Sequence, residues 1–169
     1  MEKKMKTAKA VNLPRGMRNN NPLNMVYSKK NNWHGQLPYN KVIESRFCRF
    51  SEPMWGFRAA ACLLRKYINI YGCDTIEKII SRWAPSVEND TRGYINYVSN
   101  SVGIPCDTKI SFKNMTVMLR LMSAMCCQEN GKEYDPQNNN DLWAALYKGY
   151  MMARDNVTDF SKIDDTYEV

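Results

Sequence analysis

A chain of 169 residues with a net charge of +7 has room for one domain with tails. Hydrophobic residues make up 44% and aromatics 11%, which excludes intrinsic disorder and allows a real core. The positive balance suits polyanions: nucleic acid, anionic lipid and the acidic bacterial cell wall all satisfy it.

Residues 1–14, with Lys3, Lys4, Lys6 and Lys9, read as a flexible basic tail. No apolar run follows these lysines, so neither a secretory signal nor a membrane span is expected there. Nowhere does an apolar run reach the ~18 residues that a spanning helix needs. Synthesis in the cytoplasm is expected, with injection, export or release by other means if the protein acts outside.

Residues 15–50 are rich in Asn, Gly, Pro and aromatics and read as loops with a small irregular β region. Within them, Asn19, Asn20 and Asn21 precede Pro22, which removes a backbone donor and pushes Asn21 out of the helical region. Asparagine side chains bind nearby backbone and hold turns open. A turn of Asn19, Asn20, Asn21 and Asn24 beside Arg15 and Arg18 suits a ligand covered in hydroxyls and amides, such as a sugar polymer. The plain alternative is a solvated loop. Val42-Ile43 and Phe47 to Phe50 are the strand candidates, the second with period-two alternation.

After residue 50 the period becomes helical. Ser51-Glu52-Pro53 marks a helix start, followed by Phe57, Ala60, Ala61, Leu64, Tyr67 and Ile68, with Gly72 as its stop. Asp74 with Glu77 forms a capping box for a helix from Thr75 to Trp83, ended by Pro85. A third helix starts near Asn89 or Asp90 and presents Tyr94, Tyr97, Val98 and Val102 on one face before Gly103. The fourth, from about Asn114 to Gln128, is the most apolar, and the fifth begins near Asn140 or Asp141. Trp83, Trp143 and many of the 11 methionines read as core. The acidic end from Asp155 reads as a frayed tail. The expected fold is a mostly helical α+β domain with its β region first.

The six cysteines contain no CxxC pair, and His34 is the only histidine. That pattern does not suit a zinc site, and reduced, small buried residues are the simpler expectation. No metal and no cofactor is expected. A cysteine nucleophile would need His34 as its partner, and nothing in the pattern points to that pair.

The carboxylate that stands out is Glu129, in Glu129-Asn130-Gly131. It ends the most apolar helix, and Gly131 is a natural stop. Partial burial raises a carboxyl pKa and lets it donate a proton near neutral pH. The helix C-terminus disfavours its ionisation as well. A solvated glutamate at a frayed helix end is the alternative.

Arg15 to about Ile104 resembles a family of phage and prophage proteins usually labelled virion or structural protein. The resemblance runs through Arg15 to Asn24 (RG-x-RNNNP-x-N), Trp33-His34-Gly35 and Phe47 to Phe50. It continues through Gly56 to Ala59, Arg82 to Pro85, and Glu88-Asn89-Asp90-Thr91 with Tyr94. Glu129-Asn130-Gly131 matches the family's late E-N-G. Leu23 departs from the family, which has glycine there, and this bears on the turn after Pro22.

A second resemblance is to lysozyme-like cell-wall glycosidases, including goose-type lysozymes and flagellar-type glucosaminidases. These carry a catalytic E-S-G at a helix end, then a polar Asn-rich segment, a small β region and a helical bundle. This chain is similar to them with its parts in rotated order, as a circular permutation would give. The resemblance implies a lysozyme-like domain over residues 15–154 with about five helices, and an acidic tail over 155–169. It also implies that Glu129 faces the Asn19 to Asn24 turn across one groove. Glu129 would protonate the leaving oxygen. Glu44 is the candidate second carboxylate, with Glu88 and Asp90 as alternatives, although some such enzymes need a single acid. Tyr27, Trp33 and Tyr39 can stack on sugar faces or serve packing.

Three functions are therefore compared. The first is a peptidoglycan-cleaving muramidase or lytic transglycosylase of a phage or phage-like injection system, acting on glycan strands at the cell wall or periplasm after delivery. Phage or secretion-apparatus proteins would be its partners, and an immunity protein if it is an injected toxin. The second is a non-catalytic virion or injection-apparatus component. The third is a nucleic-acid-binding protein. The third has only the charge in its favour, because the basic residues are scattered and no nucleic-acid motif is present.

Overall fold

The computed structural model describes residues 12–163. The lysines of the basic tail and the final acidic residues, 164–169, lie outside the described residues. Among the described residues the fold is all-helical, with no strand and no sheet, which overturns the expected α+β class. Its helices are α1 (Arg15–Arg18), α2 (Pro53–Asn69), α3 (Ile76–Trp83), α4 (Thr91–Val102), α5 (Met115–Asn130) and α6 (Asn140–Asp155). Short 3-10 turns follow α5 and α6.

The expected β region is reduced to two isolated antiparallel bridges, Val26 with Phe47 and Gln36 with Phe50. The alternation read in Phe47 to Phe50 is real, since Cys48 and Phe50 are both buried. A ladder does not grow from it, because the backbone of the segments that meet it leaves the extended region. Asn20, Asn24 and Gly35 all have positive φ. The Glu44 carboxylate also takes the N–H groups of Arg46 (2.8 Å) and Phe47 (2.9 Å). Donors held by a side chain are lost to a neighbouring strand. Val42 and Ile43, the other strand candidate, sit in a turn and are 87% and 63% exposed.

The helical readings are closer. Pro53 does start α2, with Glu52 rather than Ser51 at the cap position. The cap of α3 is Thr75, whose hydroxyl accepts from the Lys78 N–H, in place of the Asp74–Glu77 box. Asp90 caps α4 and Asn114 caps α5, each accepting an N–H three residues on. Gly103 ends α4 in the left-handed region (φ 82°), where glycine has no Cβ penalty. The sequence reading missed α1, hidden in the Asn-rich segment.

The core lies mainly between these helices. α5 is apolar nearly all round and runs through the middle, burying Met118, Leu121, Met122 and Met125. α2 and α6 form the most extensive helix pair. They cross closely at Gly149, where an added Cβ would lie 2.7 Å from the Arg58 backbone nitrogen. The Arg58 guanidinium donates to the Val157 carbonyl (2.9 Å), and Arg65 donates to that of Ala153. Trp143, expected in the core, is 39% exposed on α6, and Trp83 is half-buried against the core. The six cysteines are free, and three of them are buried.

α2 also meets the Asn-rich turn. A Cβ on Gly56 would lie 2.1 Å from the Asn20 carbonyl oxygen, which is backbone and has little room to yield. Gly56→Ala is therefore expected to destabilise the protein by about 2 kcal/mol, read as a lower midpoint in denaturant unfolding.

Candidate functional site

The turn from Asn19 to Asn24 is built from side chains bound to backbone. Asn21 is fully buried. Its amide nitrogen donates to the carbonyls of Met25 (3.0 Å) and Cys48 (2.9 Å), and its oxygen accepts from the Met25 N–H (2.9 Å). Asn20 donates to the Phe50 carbonyl (3.1 Å). Asn19, also buried, donates to Glu44 Oε1 (2.9 Å). These three asparagines act first as the turn's framework.

Glu44 anchors that framework. The Arg15 guanidinium grips it with two bonds, Nε to Oε1 at 2.6 Å and Nη2 to Oε2 at 2.7 Å. With Asn19 and two backbone N–H groups added, both oxygens are fully engaged. The Arg15 guanidinium, aided by these donors, holds the Glu44 carboxyl well below the usual carboxylate range. The side chain is 3% exposed. Such a group has no oxygen left for a substrate or a nucleophilic water, so this geometry does not offer it as a second catalytic carboxylate.

Glu129 is placed differently. It is the penultimate residue of α5, half-buried, with its carboxylate turned toward Asn24. Asn24 Nδ2 donates to Glu129 Oε2 at 3.0 Å. From α4, the Tyr94 hydroxyl donates to Oε1 over a longer 3.4 Å. Burial raises the Glu129 pKa, opposed by the Asn24 and Tyr94 hydrogen bonds and by the charge of Arg46. The buried Tyr94 phenol is itself raised well above its ordinary value, so it stays a donor.

The junction of helix and turn is tight. Asn130 Nδ2 donates to the Pro22 carbonyl (2.7 Å) and the Cys126 carbonyl (3.0 Å). The Trp83 indole donates to the Leu23 carbonyl at 3.3 Å. Leu23 is fully buried, so a large apolar residue, not glycine, fills the turn after Pro22. The sequence reading named Asn130 only as part of the Glu129-Asn130-Gly131 motif, and assigned none of Tyr94, Trp83 or Arg46 to this site. The E-N-G motif was the available signal for Asn130, and the E-N-x-T-x-x-Y motif for Tyr94.

The remaining candidates lie elsewhere on the Asn-rich segment or just before α4. Tyr27 and Tyr39 stack on each other (4.2 Å between rings), and Trp33 is half-buried against the core. Glu88 is exposed and paired with Arg46 at 2.8 Å, while Asp90 caps α4. A cleft of about 410 Å³ is lined by Arg18, Asn19, Asn20, Leu37, Ile43, Arg49, Phe50 and Ser51. It adjoins the turn but includes neither Asn24 nor Glu129 in its lining. No helix among the described residues is long and apolar enough to cross a membrane.

No model of a known protein family matches the chain. Protein P5 of Pseudoalteromonas phage PM2 is 42% identical over 134 residues, covering 76% of this chain and 81% of that protein. Identity at that level over most of both chains means a shared fold and descent: this chain belongs to the phage protein family that includes Protein P5 of PM2.

Proposed function

We propose that the protein is a peptidoglycan-cleaving glycosidase of a phage or phage-like injection system, with Glu129 as its proton donor. The observation that carries this reading is the half-buried carboxyl of Glu129, raised in pKa by burial and held by Asn24 and Tyr94. An acid that keeps its proton toward neutral pH can protonate the oxygen of a leaving sugar. The engagement of Glu44 favours a single-acid route, in which substrate groups complete the reaction. In the transglycosylase form, Glu129 gives its proton to the leaving oxygen as the glycosidic bond breaks. It then takes the proton of the sugar's own 6-hydroxyl as that oxygen closes on the anomeric carbon. In the hydrolase form a water takes the place of that hydroxyl. The cleft beside Arg18 and Arg49 adds two cations, a serine hydroxyl and apolar wall, suited to an acidic, sugar-bearing polymer.

Digestion of purified sacculi, with masses of the soluble products, tests the reading. Muropeptides are the expected result, and products one water lighter than the hydrolytic ones identify the transglycosylase. Sacculi left intact by the folded protein would overturn the enzyme. They would favour a non-catalytic virion or injection-apparatus component, with which membership in a phage protein family is equally consistent.

A further inference from the structure

Two buried oxygens beside Glu129 accept no hydrogen bond from the described residues: Asn24 Oδ1 and Asn130 Oδ1. Both point at the same spot next to Gly16. The position a Cβ on Gly16 would take is 2.4 Å from Asn130 Oδ1 and 3.0 Å from Asn24 Oδ1. Two acceptors converging without a donor is an expensive arrangement, since a buried polar atom left unmatched costs on the order of 1–3 kcal/mol.

A half-turn of one amide about its last side-chain bond would exchange its nitrogen and oxygen and supply the missing donor. Asn130 cannot make that turn, because its nitrogen is bound to the carbonyls of Pro22 and Cys126. Asn24 can. Its backbone is held by the bond from its N–H to the Asn21 carbonyl (2.9 Å), and its side chain has one partner, Glu129. After the turn, Asn24 nitrogen takes the place of its oxygen beside Gly16, on the side where Asn130 Oδ1 lies, and Asn24 oxygen faces Glu129 Oε2. An oxygen facing an oxygen needs a proton between them, and the carboxylic acid form of Glu129 has one.

We infer that Asn24 is a positioning residue that turns its amide with the protonation of Glu129, donating to the carboxylate and accepting from the acid. This rests on the reading of Glu129 as the proton donor and extends it to how the acid is held through a cycle. When Glu129 delivers its proton to a leaving oxygen, the amide turns and its N–H₂ meets the new carboxylate. When the proton returns, the amide turns back and its nitrogen pairs with Asn130. Both states keep a hydrogen bond, so neither is trapped. Asp in place of Asn24 could not do this, having no donor for either partner when ionised.

Tyr94 and Cys126, which also act on Glu129, keep their protons near neutral pH. Tyr94, from α4, is held far above its ordinary value. Cys126, one turn back on α5, is pushed up to about 12 by burial. Arg46, whose charge also acts on Glu129, is paired with Glu88 at 2.8 Å. Glu129 is thus the group whose proton the amide follows.

The test is solution NMR on isotope-labelled full-length protein, following the Glu129 carboxyl carbon and the Asn24 side-chain N–H₂ through a pH titration. Below the Glu129 midpoint, the Asn24 N–H₂ protons should show cross-relaxation to the Gly16 α-protons. Above the midpoint that contact should disappear. The same contacts on both sides of the midpoint would overturn the proposal and make Asn24 a fixed donor. Asn24→Ala gives a second reading. Removing a turning amide takes one bond from the carboxylate form and two from the acid form, so the midpoint does not rise. Removing a fixed donor raises the midpoint by about one pH unit. The outcome is separate from that of the functional reading. An amide that turns in a protein without lytic activity leaves the proposal standing and sinks the glycosidase. Lysis with a fixed amide does the reverse.

Discussion

Replacing Glu129 by Gln is expected to abolish sacculus lysis while leaving the fold unchanged. Loss of a general acid lowers rates by about 10²–10⁴-fold. The fold should survive, because Gln has the same shape and its carbonyl still accepts from Asn24 Nδ2, at 3.0 Å in the wild type. The check is turbidity loss of a sacculus suspension, with circular dichroism of the same samples. Lysis at the wild-type rate would move the proton donor to another residue. The pH profile carries the same assignment. The Glu129 pKa is raised by burial. Its protonated form therefore persists above the usual carboxylate range, and lysis should fall as pH rises through that raised value. A rate that climbs there instead would point to a base.

The second large effect concerns stability rather than chemistry. Arg15→Ala should destabilise the protein by about 3 kcal/mol, because it leaves the buried Glu44 carboxylate without its cation. That corresponds to a fall in Tm of roughly 10 °C for a domain of this size. The guanidinium is partly exposed, with 41% of the Arg15 side chain accessible, so the figure sits at the lower end for a broken buried pair. Calorimetry of the variant checks it, and an unchanged Tm would mean that Asn19 and the two backbone N–H groups suffice for Glu44. Acid should act through the same contact. Glu44 has its folded pKa depressed below the unfolded value, chiefly by Arg15. Its stabilisation is therefore fully present above the ordinary glutamate pKa. It drains away as pH falls through that value toward the depressed one, a loss that the Arg15→Ala protein should largely lack.

How far the sequence could be read differs by element. The helices announced themselves through local chemistry. Asp90 and Asn114 are short polar side chains that accept an N–H three residues on, and Gly103 supplies a left-handed stop, whereas the cap of α3 falls on Thr75, one residue past the expected Asp74. Those signals act within one turn of chain, so they need no knowledge of the fold. The β reading failed because a strand is defined by its partner. Phe47 to Phe50 alternates correctly, yet its neighbours meet it at isolated points only. The carboxylates divide in the same way. Glu44 and Glu129 look alike as letters near Asn-rich or apolar segments. One is clamped by an arginine 29 residues away, and the other meets an asparagine 105 residues away.

What the sequence determined by itself was the five longer helices, the stops of α4 and α5 at Gly103 and Gly131, and the apolar centre of α5, since periodicity and capping are set by residues within a few positions of each other. The tertiary structure decided which asparagines support the turn and which one reaches the acid. It also decided that Glu44 is held as an ion while burial favours the proton on Glu129. Those outcomes depend on desolvation and on partners distant in the chain, and neither exists until α5 is packed against the Asn-rich turn.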